Sequence, residues 1–158
     1  MFPARQPGQV LATVNAALLA SDYDRFRTAV YGRLTPHAAG ASITLASGGH
    51  PAPLLRRNSG ETKVLDAHGP FLGVIPDPHF PQITTELEPG NVLLLHTDGL
   101  TERNPHLRDE AELQALLTSV DGHDAHEILE QIERQSLGPG PRRLADDVAI
   151  LLLGAQSR

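Results

Sequence analysis

The stretch "NVLLLHTDGLTERN" (91–104) sets four consecutive apolar residues, Val92 to Leu95, directly against His96, Thr97 and Asp98. An apolar run of that length reads as a strand buried in a core. It stops at Asp98-Gly99. One reading is an ordinary strand-ending turn, in which Asp bonds its own backbone and Gly tolerates positive φ. The other is a carboxylate held at the mouth of a buried strand for its chemistry.

A second acidic corner lies near the other end of the chain. In "DDVAILLL" (146–153), Asp146 and Asp147 precede the amino end of a short apolar run that reads as a buried final strand over 148–153. If this strand lies antiparallel beside 92–96, the end of one sits next to the beginning of the other. Asp98, Asp146 and Asp147 would then converge. Grouped carboxylates repel one another and raise each other's pKa unless a cation shares them. Oxygen donors of this kind suit a hard ion such as Mg²⁺ or Mn²⁺. Taken alone, the Asp pair also reads as an acidic edge that keeps a strand start solvated.

Composition narrows the alternatives. A chain of 158 residues predicts one domain, 1–158, with a core of its own. The net charge of -6, with 13 Lys plus Arg against 19 Asp plus Glu and 4% aromatics, speaks against a nucleic-acid partner, which needs cations and stacking rings. The absence of cysteine excludes disulfides, thiolate nucleophiles and cysteine zinc sites. No apolar run reaches the ~20 residues of a membrane span, and "MFPARQPGQ" lacks the regions of a signal peptide. A cytoplasmic protein with no membrane contact is expected.

Working outward from 91–104, "ITTEL" and "NVLLLH" flank Pro89-Gly90, which suits the centre of a type II turn, so a hairpin is expected there. "PLLRR" and "TKVL" around "NSGE" predict another, and 26–34 with 41–47 around "TPHAAG" a third. Residues 9–20 place Val10, Leu11, Val14, Ala17 and Leu18 at helical spacing. Residues 109–120 (Leu113, Leu116, Leu117, Val120) and 124–136 (Ile128, Leu129, Ile132) predict two more helices, with Asp124 and Glu127 as a capping box for the second. Strands in adjacent pairs favour antiparallel sheets and an α+β class.

"ASGGHPAPLLRR" (46–57), "GPFLGVIPD" (69–77), "LEPGNVLLLHTDGLTERN" (87–104) and "DDVAILLL" (146–153), in this order, resemble the SpoIIE-type (RsbU-like) bacterial branch of the metal-dependent PPM serine/threonine phosphatases. Residues 10–34 are similar to that branch's helix and following strand. The resemblance implies an αββα sandwich of antiparallel sheets flanked by helices, here partial. It also implies hydrolysis of phosphoserine or phosphothreonine by metal-activated water on a regulatory protein, commonly a phosphorylated anti-sigma-factor antagonist. Asp98 and Asp146 match metal-binding aspartates, Asp147 matches a neighbour of lower rank, and Gly99 would let the backbone turn closely beside the ion. His50 matches a loop position with a structural part, and Glu102 has no assigned role.

The same resemblance implies that the family's amino-terminal third, with its early strands and its metal-bridging aspartate, is missing from this chain. Asp22 and Asp24 are the sole carboxylates upstream of residue 61, and "SDYD" reads most simply as a helix-to-strand turn. Weak, single-site Mn²⁺ or Mg²⁺ binding at Asp98 and Asp146 is therefore the expectation. Strands deprived of neighbours leave open edges, so a homo-oligomer through an exposed sheet edge is expected too. A non-catalytic partner-binding domain, or a truncated fragment, is the alternative to an active phosphatase. His123 and His126 read as a solvated helix terminus, and Arg142 with Arg143 as an exposed loop pair.

Overall fold

A computed structural model describes residues 5–21, 25–102, 107–122, 124–137 and 147–155. The chain forms two compact units, Met1–Ala52 with Asp66–Glu86 and Pro53–Leu65 with Leu87–Arg158. The fold is α+β, with two antiparallel sheets and three α-helices among the described residues. No helix of the described residues is long and apolar enough to cross a membrane.

The first unit holds α1 (Pro7–Leu19) and a three-stranded sheet of β1 (Ala29–His37), β2 (Gly40–Gly48) and β5 (Gln82–Leu87), in the order β1-β2-β5. The expected first hairpin is present, running from Ala29↔Gly48 to His37↔Gly40, three residues later than the sequence placed its first strand. Across β2 and β5, Ser42 donates to Glu86 (2.7 Å) and Thr44 bonds Thr84 (2.9 Å), a register that runs antiparallel. Leu11, Ala46, Leu72 and Phe80 form the core beneath α1.

The apolar stripe expected on this helix is only partly inward. Leu11 is buried, but Val14 and Ala17 face water, and Asn15 is buried in their place. The reason is local. Asn15 accepts from the Gly73 amide (2.8 Å) and donates to the Ile75 carbonyl (3.0 Å), so its polar atoms are satisfied inside.

The second unit holds β3 (Leu54–Arg56), β4 (Thr62–Val64), β6 (Val92–His96) and β7 (Ile150–Gly154) in the order β4-β3-β6-β7, every pair antiparallel. Helices α2 (Glu110–Ser119) and α3 (Ala125–Leu137) pack on it through Leu113, Leu117, Ile128 and Ile132, which share one core with Leu54, Val92 and Leu94. Asp109 caps α2 by accepting from Glu112 (2.8 Å), and Asp124 accepts from the His126 amide (2.7 Å), one residue earlier than the expected box.

Two strand expectations are corrected. The turn at Pro89-Gly90 exists, with Asn91 donating to Glu88 (2.9 Å) and Gly90 at φ 82°, but it joins no hairpin. β5 pairs with β2, whereas β6 lies between β3 and β7. Their burial explains the split, since β5 alternates exposed and half-buried positions and β6 is buried almost throughout. The final strand is likewise no buried strand but an edge of its sheet among the described residues, with Leu151 55% exposed.

One arginine ties the second unit together. Arg56, 5% exposed at the end of β3, donates from Nε to Leu117 (3.0 Å), from Nη2 to Val120 (2.9 Å) and from Nη1 to Gly122 (3.1 Å). All three acceptors are carbonyls at or just past the carboxyl end of α2. Such carbonyls lack helix partners and carry the negative end of the dipole, so a guanidinium both satisfies them and loses little by burial. Arg56→Met keeps much of the apolar stem and strips these donors. We expect a loss of roughly 3 kcal/mol of unfolding free energy, read by urea denaturation; an unchanged midpoint would refute the role.

Candidate functional site

The acidic corner is built by the β6–β7 ladder, which ends at His96↔Ile150. One residue further, Thr97 continues the contact with its side chain as well as its backbone. Its amide donates to the Ala149 carbonyl (3.0 Å), its hydroxyl donates to the Asp147 carbonyl (3.1 Å), and the same oxygen accepts from the Ala149 amide (2.9 Å). The start of β7 is thereby clasped against the segment that leads into Asp98, as the expected antiparallel pairing requires.

Asp98 opens a single 3-10 turn, Asp98–Leu100. Its side chain is exposed. Oδ1 accepts from the Gly99 amide (3.0 Å), and its carbonyl accepts from Thr101 (2.9 Å) and Glu102 (2.8 Å). Oδ2 has no partner among the described residues. Gly99 and Leu100 are buried, so the turn is rooted in the core while the carboxylate stands in water. Gly99 is absent from the glycines of positive φ, so the left-handed turn expected here is replaced by a 3-10 turn.

Asp147 is exposed at the approach to β7. Asp146 lies outside the described residues, as do Asp22, Asp24, His123, Arg142 and Arg143. His126 is exposed on α3 and pairs with Glu130 at 3.3 Å. In the first unit, the backbone of His50 is fastened by the Ser47 hydroxyl, which donates to its carbonyl (3.0 Å) and accepts from its amide (3.1 Å).

The donor chemistry at the corner fits a hard cation, since Asp98 and Asp147 are both exposed carboxylate residues. The donor number falls short, because the described residues contain no group of three or more potential ligands, and ions of this kind take about six. Described residues alone do not close an ion site.

Sequence reasoning missed His96. It is 3% exposed, and its Nδ1 donates to the Thr97 carbonyl (3.0 Å), which places the ring proton there and leaves Nε2 an acceptor, buried and without a partner among the described residues. Burial lowers its pKa, against smaller opposing effects from the Thr97 carbonyl and from Glu110 and Asp98. The only available signal was its place at the end of an apolar run.

The family model for Stage II sporulation protein E (SpoIIE) matches residues 3–156. The chain belongs to the SpoIIE family. Among solved structures, it resembles the phosphatase domain of SpoIIE from Bacillus subtilis, at 15% identity and TM-score 0.68, covering 97% of this chain and 67% of that one. It also resembles the RsbU and RsbW domains of a Mycobacterium tuberculosis protein, at 22% identity and TM-score 0.76, covering 98% of this chain and 43% of that one. A third is PppA of Pseudomonas aeruginosa, at 18% identity and TM-score 0.55, covering 98% and 74%. No curated protein sequence matches the chain. The expected SpoIIE-type, PPM-like fold is confirmed, and the chain is a phosphatase-type domain that spans less than half of the two-domain mycobacterial structure.

Two outcomes test the corner. Thr97→Val removes a hydroxyl that serves two backbone groups of the β7 approach, so we expect a loss of about 1–2 kcal/mol and faster amide exchange at Ala149, with Thr97→Ser near the parent. For His96 the folded pKa is depressed, so the unfolded chain binds more protons as pH falls below the ordinary imidazole value of 6.5. Its contribution is present above that pH and is lost as pH falls toward the folded pKa. His96→Asn should flatten this part of a stability-against-pH curve; an unchanged slope would exclude the buried imidazole as its source.

Proposed function

We propose that this domain hydrolyses phosphoserine or phosphothreonine on a regulatory protein of the anti-sigma-factor antagonist kind, within a partner-switching pathway. The observation that supports the reading is the Thr97 clasp, in which the residue before Asp98 bonds the Asp147 carbonyl and the Ala149 amide. SpoIIE family membership and likeness to structures titled phosphatase domains support the reaction class. One of those structures is described as presoaked with Mn.

In this reading Asp98 and Asp146 hold Mn²⁺ or Mg²⁺ weakly at a single site, with Asp147 nearby and water completing the shell. Such an ion lowers the pKa of bound water and shields phosphoryl oxygens. The chain's own part is positional. The 3-10 turn fixes the direction of the Asp98 carboxylate, buried Gly99 and Leu100 keep that turn from yielding, and Thr97 sets where β7 begins. The domain acts in the cytoplasm, apart from nucleic acid and membrane, and self-associates through an open sheet edge, for which β7 with its exposed Leu151 is the candidate.

A second reading, a partner-binding domain without turnover, is favoured by the shortage of ligands among the described residues. The purified chain separates the two when assayed with p-nitrophenyl phosphate and a phosphoserine peptide in Mn²⁺. Turnover that EDTA abolishes and that falls at least roughly tenfold in Asp98→Asn and in Asp146→Asn is expected. Phosphopeptide binding without turnover in any form would establish the second reading instead.

A further inference from the structure

Four strands stand at sheet edges among the described residues: β1, β5, β4 and β7. Three of them carry the groups that keep an edge from pairing with another chain. β1 has Arg33 and Pro36, β4 has the exposed Lys63, and β5 has the exposed Glu86. β4 is also only three residues long, and its Thr62 carbonyl accepts from Gln114 (2.8 Å). β7 has no such protection. It reads Ile-Leu-Leu-Leu-Gly, without charge or proline, and Leu151 is 55% exposed.

The backbone groups at this edge can be assigned residue by residue. The Thr97 amide donates to the Ala149 carbonyl (3.0 Å) before the strand, and the Gly90 amide donates to the Ala155 carbonyl (3.1 Å) after it. Along an antiparallel ladder, residues that bond a given neighbour alternate with residues that do not. Leu151 and Leu153 therefore turn their amides and carbonyls to β6, and Ile150, Leu152 and Gly154 turn theirs to the open edge. Side chains alternate as well. Ile150 and Leu152 pack on the core that α2 and α3 cover, so Leu151 and Leu153 point to the opposite face of the sheet.

We propose that β7 pairs antiparallel with β7 of a second copy of this chain, about a two-fold axis through Leu152, to give a closed dimer whose sheet runs on from one copy into the other. In this register Leu152 meets Leu152 of the second copy and Ile150 meets Gly154 of the second copy, so each outward amide faces an outward carbonyl. Leu151 lies against Leu153 of the second copy on the far face, apolar on apolar. No like charges oppose one another along the seam. A register shifted by one residue sets outward groups opposite inward ones, and a shift of two sets one end of each strand against residues outside β7.

The blunted edges elsewhere decide the symmetry. With β1, β4 and β5 protected, β7 finds its match only in another β7, and an isologous contact of that kind closes at two copies instead of growing into a filament. A seam of five residues a side is smaller than the ~800 Å² per partner of a standard interface, so the dimer is weak and reversible. The inference rests on the self-association through β7 proposed above and is independent of hydrolysis.

The chain contains no cysteine, so introduced ones report contacts without background. A Leu151→Cys chain and a size-tagged Leu153→Cys chain are mixed and oxidised in air. A mixed disulfide dimer is expected, because the two Cα atoms stand about 4.5 Å apart across the seam, within the span a disulfide bridges. Neither variant should bridge to itself, across about 8 Å. Sedimentation of the parent chain from about 1 µM to 1 mM should show monomer and dimer alone, and Leu151→Lys should weaken the dimer about tenfold or more. Circular dichroism checks the fold of each variant. Should Leu151→Lys unfold, the cysteine pair, which puts a smaller apolar side chain at each position, decides alone. Monomer at every concentration overturns the proposal together with the self-association it rests on. Self-association without the mixed bridge, with self-bridging of either variant, with higher oligomers, or unchanged in a folded Leu151→Lys overturns the β7 pairing and leaves self-association standing.

Discussion

Burial of β6 constrains everything at the candidate site. The strand lies between β3 and β7 with helices on its unit's core, and four of its five residues are buried. A strand so placed has no room for polar side chains along its length, so the polar residues that follow gather where it leaves the core. His96, Thr97 and Asp98 are those residues. Each meets a different degree of water: the imidazole stays inside, the hydroxyl is spent on the neighbouring strand, and the carboxylate emerges. This gradation needs no metal and no ligand to create it, because the ladder and the 3-10 turn suffice.

The same unit solves a second problem with a charge rather than with apolar packing. α2 ends inside, over β3, and carbonyls at a buried helix end must find donors. Arg56 supplies three from a neighbouring element. No carboxylate is needed to balance it, since the helix end itself is the negative partner. In the first unit the corresponding polar fastener is Asn15, neutral, which ties a helix to a loop rather than a strand to a helix. Both fasteners bond backbone groups, so neither betrays itself by a complementary side chain.

That is why the sequence showed elements more readily than it showed what fastens them. Periodicity located the three helices of the described residues, the antiparallel pairing of β6 with β7 entered only as the condition for the two acidic corners to converge, and ordered motifs located the family. Periodicity also misled where a polar residue took an inward position, as with Asn15 in place of Val14. The Pro89-Gly90 turn was legible and its consequence was not, because a turn specifies local backbone and says nothing about which sheet each arm joins. At the site, Asp98 was legible from its position after an apolar run. Thr97 and His96 were not, since a hydroxyl that bonds backbone fifty residues away and an imidazole with an unsatisfied nitrogen have no spacing signature.

The exposure of Asp98 also decides how the site relates to stability. A carboxylate that keeps most of its water owes the fold little and costs it little, in contrast to buried acidic clusters that require a cation to exist. The apolar residues beneath it, Leu100 above all, carry the turn. Folding of the second unit therefore rests on the β-ladder and Arg56 and not on the exposed Asp98 carboxylate. An exposed carboxylate of this kind lets the domain hold its shape when Asp98 is replaced, so in the proposed reading its loss would be a change in chemistry rather than a change in fold.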